Sequence, residues 1–377
     1  MVRNPEPLAA KPSPQRPMTP AHRSSVRSHL LDWYDANKRD LPWRKTSDPY
    51  MIWLSEIMLQ QTRVDTVIPY YQKFLVAFPT VHALAKADID TVLTHWAGLG
   101  YYRRARHLHE GAKYIVALGT FPRSRDELRK VPGIGRYTAG AISSIAWQAR
   151  EPLVDGNVQR VFSRLFRLEG DLSKGPAHEL VWAYAKELVP DERPGDFNQA
   201  VMELGATVCT LDPRCEVCPL AKRCEAKEHD VISLYPHAIK KAKVQAWDRT
   251  ALIFRKGSSV LLGKRKDTGV FAGLWEPPQW DKGAPETKNL KGKALGSVDH
   301  VLTHRLIHVK LLESPLDPRL LPSTDYTSMR LFAPGELGSI AMSTLAKKIL
   351  AHLVKTGPKT LRASKTAAKK PAKALRR

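Results

Sequence analysis

From Ser24 to Lys227 the apolar residues recur at three- and four-residue spacings, as in VRSHLLDWYDANK, TRVDTVIPYYQKFLVAF, YRRARHLHEGAKYIVAL and ELVWAYAKELV. That period lines one face of a helix, and the prolines and glycines between the segments predict many short helices. One stretch departs from the pattern. In WLSEIMLQQTRV, Trp53 to Val64, the apolar residues surround a single carboxylate, Glu56, and two amides follow, Gln60 and Gln61. A lone acid in such apolar surroundings is unusual for a helix, whose acids are mostly solvent-facing. After Ser233 the pattern changes. LYPHAIKKAKVQAWDR reads as a linker, and TALIFRK, SSVLLGKRK, SVDHVLTHRLIHVKLLE and TSMRLFAP read as strands. SIAMSTLAKKILAHLV is a closing helix.

The expected organisation is a disordered proline-rich N-terminus (1–22), an all-α domain (23–228), a linker (229–247), an α+β domain (248–354) and a disordered basic tail (355–377). With 377 residues, 43% of them hydrophobic, the chain is long enough for two cored domains. No apolar run approaches the roughly 20 residues of a membrane span. The N-terminus MVRNPEPLAAKPSPQRPMTP lacks the apolar core of a secretion signal.

Charge narrows the function. The formal net charge is +23, a surplus that points to a polyanion, most simply nucleic acid. The tail from Lys355 carries nine basic residues and no acid, which leaves the rest of the chain basic as well. The four cysteines all lie between Cys209 and Cys224. Clustered thiols suit a metal site in a reducing compartment rather than disulfide staples. The chain is expected to be a cytoplasmic monomer, nucleoid-associated if bacterial.

Three motifs carry chemistry. In ELRKVPGIGRYTAGAISSIAW, Gly133 and Gly135 make a tight turn after a proline and open an apolar helix near Arg136. Glycines allow close backbone approach and a helix N-terminus offers free N–H groups, so a helix-hairpin-helix gripping a DNA phosphate is expected. In LVDGNVQRVFSRLF, Asp155 stands where a helix begins, the position of an ordinary capping aspartate. The cysteines are spaced C-x5-C-x2-C-x5-C, at Cys209, Cys215, Cys218 and Cys224. Four thiolates in one compact loop suit a [4Fe–4S] cluster, with zinc the competing occupant.

LPWR, WLSEIMLQQT, WAGLGYYRRARHLH, VPGIGRYTAGAI, DGNVQRV, FNQAVMELGA and the cysteine loop follow in that order. Together they resemble the adenine DNA glycosylase (MutY) family, within the helix-hairpin-helix, iron–sulfur superfamily that includes endonuclease III. The resemblance covers roughly residues 23 to 350. One departure is the first cysteine gap, a residue shorter than the family's usual C-x6-C, which implies an altered loop before Cys215.

The resemblance implies a reaction and its residues. The enzyme would extrude adenine from duplex DNA containing 8-oxoguanine:adenine or guanine:adenine mispairs, with Gln61 and Tyr101 filling the stack. Glu56 would be the acid that protonates adenine N7, its pKa raised by apolar surroundings. Asp155 would stabilise the sugar cation, assisted by Asn157 and Tyr137. Trp43, Arg44 and Glu203 would line the adenine pocket. Bifunctional relatives carry lysine where this chain has Tyr137, and tyrosine cannot form a Schiff base. Monofunctional base removal is therefore expected.

The second domain resembles the family's Nudix-like domain through KRKDTGVFAGLWEPPQW. No R-E-x-x-E-E helix lies between Asp281 and His300, so recognition rather than hydrolysis is expected. The family's Phe-Ser-His turn toward 8-oxoguanine corresponds to Leu302, Thr303 and His304. Three competing functions are weighed by the same residues. Tyr137 counts against a lyase-active pyrimidine glycosylase, the pairing of Glu56 with Asp155 against a non-catalytic DNA-binding protein, and the lack of metal carboxylates against a Nudix hydrolase.

Overall fold

In this computed structural model the described residues are 18–237, 244–284, 291–302, 305–315 and 325–356. They form two compact units. One combines residues 18–86 with 107–237, the other residues 87–106 with 244–356.

The first unit is helical. Helix α1 (Pro20–Asn37) begins inside the segment expected to be disordered, because Thr19 caps it and Pro20 sits at its first position. A short 3-10 turn, Pro42–Arg44, leads to α2 (Pro49–Leu59). The Asp48 side chain accepts from the Tyr50 amide at 2.8 Å and fixes the start of α2. Eight of the eleven residues of α2 are buried, as its apolar character requires. Then come α3 (Val64–Ala77) and α4 (Val81–Lys86). Helix α5 (Ile89–Trp96) and the first turn of α6 (Arg103–Leu118) lie in the other unit. The helical unit continues with α7 (Arg125–Leu128), α8 (Arg136–Trp147), α9 (Gly156–Leu165), α10 (Gly175–Leu188), α11 (Pro194–Thr207) and α12 (Glu225–Glu228). One core of this unit joins α1, α9, α10 and α11 through Tyr34, Phe162, Trp182 and Phe197.

The second unit holds two sheets built from β1 (Gln245–Ile253), β2 (Arg255–Lys256), β3 (Ser259–Arg265), β4 (Trp275–Glu276), β5 (Gln279–Asp281), β6 (Lys293–Leu302), β7 (Arg305–Glu313) and β8 (Tyr326–Phe332). The first sheet has the order β5-β1-β7-β6, with β1 and β7 parallel. In the second, β3 pairs with β2, β4 and β8. Helix α13 (Thr344–Thr356) packs Leu345, Ile349 and Leu353 into the core beside Phe332 and Val309. Glu276, fully buried, accepts from the Tyr326 hydroxyl and from Arg265 Nη1, each at 2.9 Å. A buried carboxylate needs such partners. The expected strands and closing helix are present, and part of the expected linker (238–243) lies outside the described residues.

Residues 87–106 group with the β-rich unit, although their helical period assigns them to the all-α domain. Periodicity shows that a segment is helical; it does not show what the helix packs against.

Candidate active site and cysteine loop

Helices α2, α8, α9 and α11 bring the expected catalytic side chains together. Glu56 lies on α2 and is 5% exposed. Tyr137, in the first turn of α8, donates its hydroxyl to Glu56 Oε2 and also lies 3.4 Å from Met202 Sδ on α11. Burial pushes the Glu56 carboxyl up to about 7; the Tyr137 hydrogen bond opposes this and the nearby Asp155 charge adds to it. With Tyr137 donating to Oε2, the proton of neutral Glu56 belongs on Oε1. Burial, with the charges of Glu56 and Asp155, raises the Tyr137 phenol well above its usual value, so it stays a hydroxyl donor.

Asp155 is both the cap of α9 and a member of this group. Its Oδ1 accepts from the Val158 amide at 2.7 Å and its Oδ2 from Asn157 Nδ2 at 2.9 Å. Burial raises its pKa, against these two hydrogen bonds. Asn157 is held in turn by α11. A Cβ on Gly205 would sit 2.7 Å from the Asn157 Cβ, so only glycine permits this approach.

Two of the three residues expected to line the adenine pocket, Arg44 and Glu203, form an ion cluster with Arg39. Glu203, 1% exposed, accepts from Arg39 Nε at 2.7 Å, Arg39 Nη2 at 2.8 Å and Arg44 Nη2 at 2.8 Å. Burial alone would raise its pKa; the hydrogen bonds from Arg39 and Arg44 outweigh that and hold it at about 2. Arg44 also acts on Glu56, lowering its pKa. Trp43 is buried edge-on against Tyr71, with ring centroids 5.4 Å apart. Sequence alone does not reveal Arg39, because a basic residue in a polar loop gives no sign of a buried partner 164 positions away.

In the expected hairpin, Gly133 has a φ of 81° and a Cβ there would meet the His107 Cβ at 2.6 Å, whereas Gly135 has open space around it. Gly135 is the N-cap of α8. Gln61, just past α2, is exposed and left-handed at φ 55°. Tyr101, also left-handed at φ 48°, belongs to the other unit with Leu302, the last residue of β6. Thr303 and His304 lie outside the described residues.

All four cysteines line one cavity with Arg164, Arg214 and Lys227. The five-residue first gap closes as a compact turn, with the Arg214 amide bonded to the Val208 carbonyl at 3.0 Å. Arg164 is buried and donates to Cys209 Sγ at 3.4 Å, Thr210 O at 2.6 Å and Tyr235 O at 2.9 Å. Burial pushes the Cys218 thiol up to about 12 and raises Cys215 and Cys224 too, with neighbouring thiols adding to it. Among the described residues, no three His, Cys, Asp or Glu side chains are grouped as they would be around a single metal ion. The four thiols around this cavity are the donor set that a thiolate-held group requires.

Arg160 joins this loop to Asp155. It donates to Asn157 Oδ1 at 2.8 Å, Gly205 O at 2.6 Å and Cys209 O at 2.7 Å. Nothing in the residue pattern signals this role, since an arginine within an amphipathic helix reads as solvent-facing.

Comparisons with known proteins find relatives for both parts of the chain. Residues 54–190 match the HhH-GPD superfamily of base excision DNA repair proteins, and residues 249–352 match the NUDIX domain. The adenine DNA glycosylase of Homo sapiens is 34% identical, over 87% of this chain and 74% of that protein. That of Arabidopsis thaliana is 43% identical over 67% of this chain, but the chain spans only 47% of that longer protein. A thermostable thymine-DNA glycosylase structure superposes with a TM-score of 0.51 and 31% identity, covering 55% of this chain and 98% of that one.

Proposed function

The chain belongs to the adenine DNA glycosylase family, and on that premise we propose that it removes adenine mispaired with 8-oxoguanine or guanine, hydrolysing the N-glycosidic bond without cutting the strand. One observation carries this reading: a buried carboxyl with its pKa near 7, Glu56, bonded to a tyrosine where lyase relatives carry lysine, with a second carboxylate, Asp155, close enough to act on it.

Glu56 delivers its proton to adenine N7. The bond between the sugar C1′ and adenine N9 then breaks, and its electron pair leaves with the base. The cation left on the sugar faces the Asp155 carboxylate, which the Val158 amide and Asn157 hold in place. Water adds at C1′ and gives its proton to the Glu56 carboxylate, which restores the acid. Arg44, aimed by Glu203, lines the base pocket with Trp43. Gln61 and Tyr101 occupy the space the base vacates, and the backbone at Gly133 and Gly135 meets a phosphate. Leu302, Thr303 and His304 read the base opposite.

Cys209, Cys215, Cys218 and Cys224 would hold a [4Fe–4S] cluster. Bound there, it would tie the loop into one rigid element. Anaerobically purified protein is expected to be yellow-brown and to contain iron; zinc alone would overturn that assignment. The activity is tested on a duplex carrying 8-oxoguanine opposite adenine. Strand scission that appears only after alkali supports monofunctional excision, and scission without alkali overturns it.

A further inference from the structure

Resting on the reading of Tyr101 as the wedge, we propose that Tyr102 and Arg106 are positioning residues that fasten this wedge to the Nudix-like domain. The domain that meets the base opposite adenine then also sets the wedge. Residues 87–106 belong to the same compact unit as that domain. Tyr101 is 45% exposed and holds a left-handed φ of 48°, a conformation that a bulky residue keeps only where its surroundings impose it.

Those surroundings begin one residue on. The Tyr102 side chain is buried and its hydroxyl donates to the Met342 carbonyl at 3.0 Å, just ahead of α13. One helical turn later, Arg106 enters the loop between β3 and β4. Its Nη2 lies 2.9 Å from Asp267 Oδ1 and donates to the Ala272 carbonyl at 3.3 Å. A Cβ on Gly273, at φ 66°, would collide with that same nitrogen, so the cradle exists only because residue 273 is glycine. Lys264 on β3 holds α5 at the other end through Asp90, at 2.6 Å. Between these ties Arg104 braces the turn. Its guanidinium lies 5.4 Å from both the Trp96 and Tyr101 ring centroids and donates to the Leu99 and Gly100 carbonyls. The glycine–tryptophan stretch of the Nudix-like domain thereby has a task other than hydrolysis. A shift of its loop reaches the helix that follows Tyr101 through Arg106.

The test uses the full-length protein and duplexes with 2-aminopurine, in place of adenine, opposite 8-oxoguanine, with fluorescence reporting extrusion. Arg106→Ala and Gly273→Ala should each lower extrusion about tenfold, the scale of one charge-assisted hydrogen bond. The two together should do no more than either alone, because they act on one contact. Tyr102→Phe, which removes a single hydroxyl and leaves the packing, should give a smaller loss with the fold retained at a modestly lower Tm. In a Tyr101→Ser background, Arg106→Ala should change nothing further. Wild-type extrusion by folded Arg106→Ala and Tyr102→Phe, or full additivity with Tyr101→Ser, would overturn the proposal. Normal extrusion by Tyr101→Ser alone would instead overturn the wedge reading, and this proposal with it.

Discussion

A carboxyl group pushed up to about 7 still holds much of its proton at neutral pH, which is what a leaving adenine requires of Glu56. Excision should therefore fall as pH rises through about 7, as the acid is lost. Glu56→Gln keeps the acceptor for Tyr137 but has no proton to give. It should bind duplex DNA and excise adenine about 10²–10⁴-fold more slowly in single turnover. The same shift predicts a stability effect of definite sign. Because the folded pKa is raised above 4.5, the unfolded chain releases this proton first, so Glu56 destabilises the fold increasingly from about pH 4.5 to about pH 7. Glu56→Gln should be more stable above pH 7, by up to about 3 kcal/mol, with no gain below pH 4. Denaturant unfolding at both pH values checks this. Equal stability differences at the two would mean that Glu56 is not held protonated by burial.

At the scale of elements, α11 organises the site: it supplies Met202 to Tyr137, Glu203 to Arg44, and the bare backbone at Gly205 that lets Asn157 settle beside Asp155. Gly205→Ala should destabilise the protein by about 1–3 kcal/mol, the usual cost of overpacking, and lower excision more than binding, because the displaced residue holds Asp155. Unchanged excision in that variant would show that Asn157 is not needed for aim. Arg160→Gln removes the tie between Asn157 and the Cys209 carbonyl. It should lower both iron content and single-turnover excision; loss of iron at unchanged excision would show that the tie serves the loop alone. Helix α2 was legible in the sequence because a lone acid among tryptophan, leucine and isoleucine has no solvent-facing side to occupy. The cysteine loop was legible because four thiols are rare and crowded. Asp155 stood out only in company, since every capping aspartate looks alike. Arg39, Arg160 and Arg164 stayed hidden because most of their partners are backbone carbonyls or distant side chains, which no local pattern encodes. Gly205 stayed hidden for a related reason: a close approach between helices leaves no periodic trace.

At the scale of the whole molecule, an enzyme that takes undamaged adenine must learn what lies opposite it, and a pocket that sees only adenine cannot supply that. A hydrogen-bonded base contact carries roughly 1–3 kcal/mol of discrimination, so a second domain bearing a few such contacts is enough to matter. The helical unit has its own buried core and contains the four-cysteine loop. Cut after Gln245, the protein should keep its iron and still remove adenine slowly. It should lose most of its preference for 8-oxoguanine over guanine. It should also lose most extrusion, because the cut takes away Met342, Asp267 and Lys264, the partners of Tyr102, Arg106 and Asp90. The two losses separate in the intact chain. Thr303→Ala with His304→Ala should reduce discrimination and leave extrusion opposite guanine unchanged, while Arg106→Ala should reduce extrusion opposite either base. Single-turnover rates and affinities on both duplexes distinguish these outcomes. A truncated protein that discriminates as well as the intact one would show that the Nudix-like domain does not read the lesion, and the source of discrimination would then have to lie within the helical unit.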